Sequence, residues 1–183
     1  PLFRIQVIHQ PANRHLLFID MHHIITDGLS QEIIVEEFAR LYGGMNLPEL
    51  MIHYKDYAVW QREFMNSTEF RQQEQFWLEL FQGEITELQL PTDYSRPDVR
   101  RGEGRAVHFE LDQEWTWRLK RFALQQNATV FMVLLAVYNL LLAKASGQED
   151  IIVGIPVSGR THASLSPLVG MFVNTLALRN TPK

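Results

Sequence analysis

Cysteine is absent from the 183 residues. That excludes disulfides, thiolate catalysis, Cys-ligated zinc and iron–sulfur clusters together, and leaves Ser, Thr, Lys, a carboxylate or His for any covalent step. An excess of one charge is missing as well. Lys and Arg number 17 against 21 Asp and Glu, a net −4, so no bulk field draws this surface to nucleic acid or anionic lipid, and neither partner is expected. There is no long hydrophobic run: the most apolar stretch, residues 130–143, is interrupted by Tyr138 and Asn139 and is shorter than the roughly 20 residues a membrane span needs. Residues 1–10 lack a basic region followed by an apolar core and a cleavage site, so no signal peptide is read and a cytoplasmic location is expected. What is present is 46% apolar and 11% aromatic residues, ample for a packed core, and disorder or low complexity is excluded.

Phe3-Arg4-Ile5-Gln6-Val7-Ile8 alternates with period two, and His15 to Met21 is nearly all apolar after a Gln-Pro-Ala-Asn-Arg turn; the pattern predicts a strand, a turn and a more buried strand. Leu29, Ile33, Ile34, Phe38 and Leu41 then recur at helical spacing until Gly43-Gly44, an amphipathic helix. Tyr54, Tyr57, Ala58, Phe64 and Met65 predict a second helix, and Ser67 caps a third that carries Phe70, Phe76, Trp77 and Leu80. Residues 90–105, with Pro91, Pro97, Gly102 and Gly104, show neither period and read as a linker or crossing loop. Beyond it the patterns predict a strand at 106–111, a helix at 113–126, an apolar helix after Thr129, a buried strand at 150–156 and a last strand near 171–178. The expected class is α/β or α+β in two lobes. Because the chain starts in a strand and ends just after one, a piece of something larger is expected.

Chemistry concentrates in Met21-His22-His23-Ile24-Ile25-Thr26-Asp27-Gly28, where a buried strand gives way to a helix. Neighbouring strand side chains point to opposite faces, so His22 and His23 cannot share one cleft; one is expected to be catalytic and the other structural. A neutral imidazole with an ordinary pKa near 6.5 can accept a proton from an attacking amine or alcohol, or hold it in line. Asp27 can brace the turn, and the N–H groups at the helix start can stabilise a developing oxyanion. Blander readings stand beside these. An Asp before a helix is an ordinary N-cap, and a lone His at a strand end is more often a hydrogen-bonded core residue. Two His and a carboxylate make a metal triad on paper, but adjacent strand histidines do not converge on one ion, so no metal is expected.

His22-His23-x-x-x-Asp27-Gly28 resembles the HHxxxDG signature of the condensation domains of nonribosomal peptide synthetases, within the chloramphenicol-acetyltransferase-like acyltransferases. Three further stretches narrow the resemblance. Tyr54-Lys55-Asp56-Tyr57-Ala58-Val59-Trp60 is similar to YxDYAxW, Gly154-Ile155-Pro156-Val157-Ser158-Gly159-Arg160 to GxPxxGR, and Gly170-Met171-Phe172-Val173-Asn174-Thr175 to GxFVNT. By pattern alone Tyr54, Tyr57 and Trp60 form a core face, Arg160 is a solvated loop cation, and Asn174 is a satisfied strand-end group. The resemblance instead implies that Arg160 pairs with Asp27 and fixes the catalytic turn. Arg100, Arg101 and Arg105 read as a solvated linker, with carrier docking as the other reading.

The resemblance implies an α/β fold, an α+β two-layer sandwich that is part of a two-lobed pseudodimer: residues 1–92 would end the first lobe, 93–105 link, and 106–183 begin the second. The family's motifs before HHxxxDG and after GxFVNT are missing, so an incomplete substrate tunnel is expected. By the same resemblance, the intact domain joins an acyl or peptidyl thioester to the amine of an aminoacyl thioester. Phosphopantetheine arms of upstream and downstream peptidyl carrier domains deliver both, and an adenylation domain is adjacent. No cofactor is bound directly. His23 is expected to orient or deprotonate the amine, His22 to face inward as packing support, Asp27 to brace the turn with Arg160, and the Gly28 N–H to donate to the oxyanion. The rivals are an epimerisation domain and a non-catalytic scaffold or docking fragment; the YxDYAxW-like and GMFVNT-like stretches favour condensation, and His22 and His23 exclude a heterocyclisation domain, which carries aspartates there.

Overall fold

The computed structural model describes residues 1–95, 99, 102 and 104–182. They pack as two compact units that are interleaved in sequence: Pro1–Leu80 with Gly154–Leu176, and Phe81–Val153 with Ala177–Lys183.

The first unit opens with the hairpin the alternation predicts, β1 (Phe3–Gln10) and β2 (Arg14–Met21), antiparallel from Phe3 opposite Met21 to Gln10 opposite Arg14. Its tip turns through Ala12 and Asn13, both at positive φ, the backbone hand that a tight hairpin between right-twisted strands requires. After a short 3-10 turn, α1 (Gly28–Tyr42) runs until Gly43 and Gly44, the latter at φ 77°. The helix α2 (Tyr54–Phe64) starts where the Asp56 carboxylate accepts the His53 N–H at 2.8 Å. Ser67 opens α3 (Thr68–Leu80) by accepting the Phe70 N–H at 3.1 Å. The aromatic residues of α2 stack along one face, Tyr57 to Trp60 at 5.8 Å and Trp60 to Phe64 at 5.2 Å between ring centres, as side chains three and four residues apart must. Tyr57 joins Leu165, Leu168 and Phe172 in the buried core, with Ile52 against it.

In the second unit Asp112 caps α4 (Gln113–Gln125) by accepting the Trp115 N–H at 2.7 Å, and Thr129 caps α5 (Val130–Ser146) by accepting the Met132 N–H at 3.2 Å. Gly147, at φ 70°, ends α5 in the left-handed conformation that a residue without Cβ adopts without penalty. No single helix among the described residues is long and apolar enough to cross a membrane; α4 and α5 together reach the length but bend by 99° at their break. Arg179 holds Asp150 at 2.7 Å and the Gln82 carbonyl at 3.3 Å. The side chain of Gln148 accepts the Gln89 N–H and donates to the Glu87 carbonyl.

The strands β3 (Ile151–Val157) and β4 (Asn174–Asn180) pair with each other. Two expectations need correction. No strand forms at 106–111 among the described residues. The alternation is real, but it has no ladder neighbour, and Val107 and Phe109 are 87% and 80% exposed; an extended segment without a partner leaves its peptide groups to water. The last strand begins at Asn174 rather than near 171, because Gly170, Met171 and Phe172 give their peptide groups to side chains instead. Arg100, Arg101 and Pro97 lie outside the described residues, and Arg105 is exposed.

Candidate active site

The candidate site is the turn between β2 and α1. The His22 N–H extends the hairpin by one bond, to the Leu2 carbonyl at 2.8 Å. The chain then leaves the strand, and residues His23–Ile25 make a single 3-10 turn. His22 is its N-cap: Nδ1 accepts the Ile24 N–H at 3.0 Å. This bond requires that nitrogen to be unprotonated. The expectation that His22 packs inward is corrected here, since it is exposed and supports the turn by capping it. The strand argument placed the two histidines on opposite faces, but strand geometry has already stopped at Met21. His23 is exposed, and its carbonyl accepts the Thr26 N–H at 3.4 Å.

Thr26 and Asp27 are buried, at 2% and 1% exposure. The Asp27 carboxylate is both readings at once, an N-cap and an ion-pair partner. Its Oδ1 accepts the Ser30 N–H at 2.8 Å and the Ser30 hydroxyl at 2.7 Å, and its Oδ2 accepts the Phe172 N–H at 3.1 Å. The Nη2 of Arg160 reaches Oδ1 at 3.2 Å from a side chain that is 5% exposed. Arg160 is itself held. Its Nη1 donates to the Leu165 and Leu168 carbonyls, and its guanidinium lies 4.1 Å from the centre of the Phe172 ring. Burial alone pushes the Asp27 carboxyl up, but the Ser30 hydroxyl, the Ser30 and Phe172 N–H groups and Arg160 outweigh it and leave it below its ordinary 3.8. A charged carboxylate that accepts several hydrogen bonds and faces a cation keeps its charge.

Gly28 is exposed in the first turn of α1, where N–H groups have no acceptor within the helix and the positive end of the helix dipole lies. The Asp27 side chain takes the Ser30 N–H, and no group among the described residues accepts that of Gly28. An open groove of about 900 Å³ lies alongside, lined among others by Gly28, Val35, Pro156, Ser158 and Val173; His23 is not part of that lining. Asn174 is exposed at the start of β4, and its side-chain oxygen accepts the Thr175 N–H at 2.8 Å. The structure therefore brings Asp27, Arg160 and the first turn of α1 together, with His22 and His23 on the adjoining turn.

Sequence reasoning missed three participants. Ser30 is fully buried and bridges Asp27, Arg160 and Gly170; its signal was a hydroxyl three residues after an N-cap, on the inner face of a helix. Phe172 supplies an N–H and a ring face, and Tyr54 donates its hydroxyl to the Met171 carbonyl at 2.8 Å. Both stood in recognised motifs, where their aromatic character hid their polar contacts.

The family model for the condensation domain matches residues 1–183, the whole chain. The chain belongs to the condensation-domain family. This condensation-domain chain is 52% identical over 182 residues to tyrocidine synthase 3 of Brevibacillus parabrevis, covering 100% of this chain and 3% of that protein. It is 48% identical over 183 residues to bacitracin synthase 3 of Bacillus licheniformis, covering 100% of this chain and again 3% of the relative. Among solved structures, it matches the first condensation domain of the calcium-dependent antibiotic synthetase, in complex with substrate analogue 3a, at 27% identity and a TM-score of 0.71, covering 100% of this chain and 41% of that one. The X-domain from teicoplanin biosynthesis shares the fold at 21% identity and a TM-score of 0.86, over 98% of this chain and 42% of the other. The condensation-domain chain thus spans less than half of these solved relatives, and its fold is of their α/β, chloramphenicol-acetyltransferase-like class.

Proposed function

We propose that this chain contributes the catalytic turn of an amide-forming condensation domain in a nonribosomal peptide synthetase of antibiotic biosynthesis. In this reading residues 1–92 end the first lobe of the parent domain, 93–105 link, and 106–183 begin the second. Upstream and downstream peptidyl carrier domains present the two substrates on phosphopantetheine arms, an adenylation domain lies alongside in the same synthetase, and the assembly works in the cytoplasm. The observation that carries the reading is a buried ion pair dedicated to one short turn. Asp27 and Arg160 tie together a segment whose neighbouring His23 and Gly28 are exposed.

The chemistry asks little more. A thioester is already activated, and an α-amine with pKa near 8 is partly neutral near pH 7. The acceptor nitrogen attacks the thioester carbon, and the Gly28 N–H at the helix start donates to the oxygen as it becomes negative. His23 holds the amine in line and takes its proton; the C–S bond breaks, and the proton passes to the leaving thiolate. His22 fixes the turn, and Asp27 with Arg160 keeps the helix start in register with it.

The test is single-turnover amide formation by the intact parent domain with loaded donor and acceptor carriers. His23→Ala is expected to lower the rate by roughly 10²–10⁴-fold while fold and carrier binding persist. His22→Ala is expected to cost less, because a backbone N–H loses its cap but no reacting group is removed. A His23→Ala domain that turns over like the wild type would refute the assignment. Carrier binding without turnover in the wild type would favour a docking scaffold, and exchange of the α-proton without amide formation an epimerase.

A further inference from the structure

The tripeptide Gly170-Met171-Phe172 is held at every residue. Gly170 is held through its N–H, which donates to Ser30 Oγ at 3.0 Å; its carbonyl lies 2.9 Å from the same oxygen. The Met171 carbonyl accepts the Tyr54 hydroxyl at 2.8 Å. The Phe172 N–H donates to Asp27 Oδ2 at 3.1 Å. The ring of Tyr54 also lies against Gly170, so closely that a Cβ there would overlap it, and it meets the Phe172 ring edge-on at 5.1 Å.

Ser30 has no spare capacity. A hydroxyl carries one proton and two acceptor sites. The proton goes preferentially to Asp27 Oδ1 at 2.7 Å, a bond to a charged acceptor. The two acceptor sites are filled by the Gly170 N–H and by Arg160 Nη2 at 3.0 Å. Ser30 is fully buried, so water cannot replace any of these bonds if the hydroxyl is removed.

We infer that Ser30 and Tyr54 are positioning residues of the catalytic turn: together they fix the tripeptide whose last N–H anchors Asp27, and through Asp27 they set His23 and the start of α1. The kinetic side of this role rests on the proposed amide-forming function; its structural side does not. The YxDYAxW-like stretch thereby acquires a role beyond core packing, since its first residue reaches the active turn by way of Met171 in the GxFVNT-like stretch.

The experiment uses the parent domain with Tyr54→Phe, which keeps the ring and loses the hydroxyl, and Ser30→Ala. Three quantities are read: the single-turnover rate at saturating carriers, carrier affinity, and hydrogen exchange of the Ile24, Thr26 and Ser30 amides. The rate is expected to fall roughly 10²-fold in Ser30→Ala and about 10-fold in Tyr54→Phe, the scale of losing near-attack geometry by about an ångström. Carrier affinity is expected to stay within about twofold, and exchange at the turn to accelerate while that of α5 does not change. A purely structural contact would lower thermal stability and leave the rate of the folded protein alone; that result overturns the inference. If Ser30→Ala fails to fold, Tyr54→Phe decides. If the wild type forms no amide, the proposed function fails, and exchange alone decides the inference: faster exchange at the turn in Tyr54→Phe upholds the coupling, and unchanged exchange refutes it.

Discussion

Removing the Asp27 carboxylate by Asp27→Ala is the sharpest perturbation of stability, and its size follows from what it strands. Arg160 would remain 5% exposed with its cation unpaired, and breaking a buried pair from one side costs about 3–5 kcal/mol. The same change removes the cap of α1, worth about 1 kcal/mol, and leaves the Phe172 N–H without its acceptor. Against a total stability of roughly 5–15 kcal/mol, that is a large fraction. The assay is equilibrium urea denaturation of the parent domain as a cycle with Arg160→Met, which replaces the cation by an apolar side chain of similar length. Once Asp27 is gone, removing the guanidinium relieves the stranded charge, so the double variant is expected about 1–3 kcal/mol more stable than the two single losses would add up to. An Asp27→Ala domain that loses less than about 1 kcal/mol, or a cycle that closes additively, would refute the view that the pair is buried and coupled.

Three further outcomes are expected. The Asp27 carboxyl titrates below 3.8 in the folded state, and so does Asp150, where Arg179 outweighs the cost of desolvation. Both contribute stability that is fully present above 3.8 and lost as pH falls through the folded values, so acid titration of wild type should be steeper below that point than that of Asp27→Asn, with no difference in slope near pH 7. Gly159, at φ 66°, stands where an added Cβ would overlap the Phe172 carbonyl; Gly159→Ala is expected to destabilise by more than about 1 kcal/mol in thermal melts, and an unchanged melting temperature would contradict the geometry. Gly28→Pro is expected to fold, since proline is accepted at the first helical position, the preceding Asp27 is extended at φ −128° and ψ −178°, and a Cβ at Gly28 meets nothing. Because it removes the N–H proposed for the oxyanion, single-turnover rates should fall about 10²-fold; a wild-type rate would move the oxyanion donor elsewhere.

The helices were legible because their signals are local. Asp27 and Gly43 bracket α1, Ser67 opens α3, and Thr129 opens α5, and each is a short-range capping or stop pattern. Residues 106–111 misled for the opposite reason: alternation reports which faces are apolar, while a strand also needs a neighbour, which a local pattern cannot supply. The start of β4 moved for a related cause, since Ser30, Tyr54 and Asp27 claim the peptide groups of 170–172 from far away in sequence. Within the site, the position of the turn and the cap at Asp27 followed from residues 21–28. That Arg160 is its partner came only through family resemblance, for nothing in an isolated Ser-Gly-Arg distinguishes a buried cation from a solvated one. His22 was misplaced because a strand was continued past its end at Met21.

The ion pair between Asp27 and Arg160 spans 133 residues of sequence, and this separation has a consequence in time. At synthesis rates of about 5–20 residues per second, Arg160 leaves the ribosome roughly 7–27 s after Asp27. Gly170 and Phe172 follow still later. The hairpin and α1 can form as they emerge, but the carboxylate waits without its cation, and the turn acquires its working geometry only when a late stretch of chain folds back onto an early one. As the chain is made, the geometry of this turn is therefore withheld until translation has moved well past it.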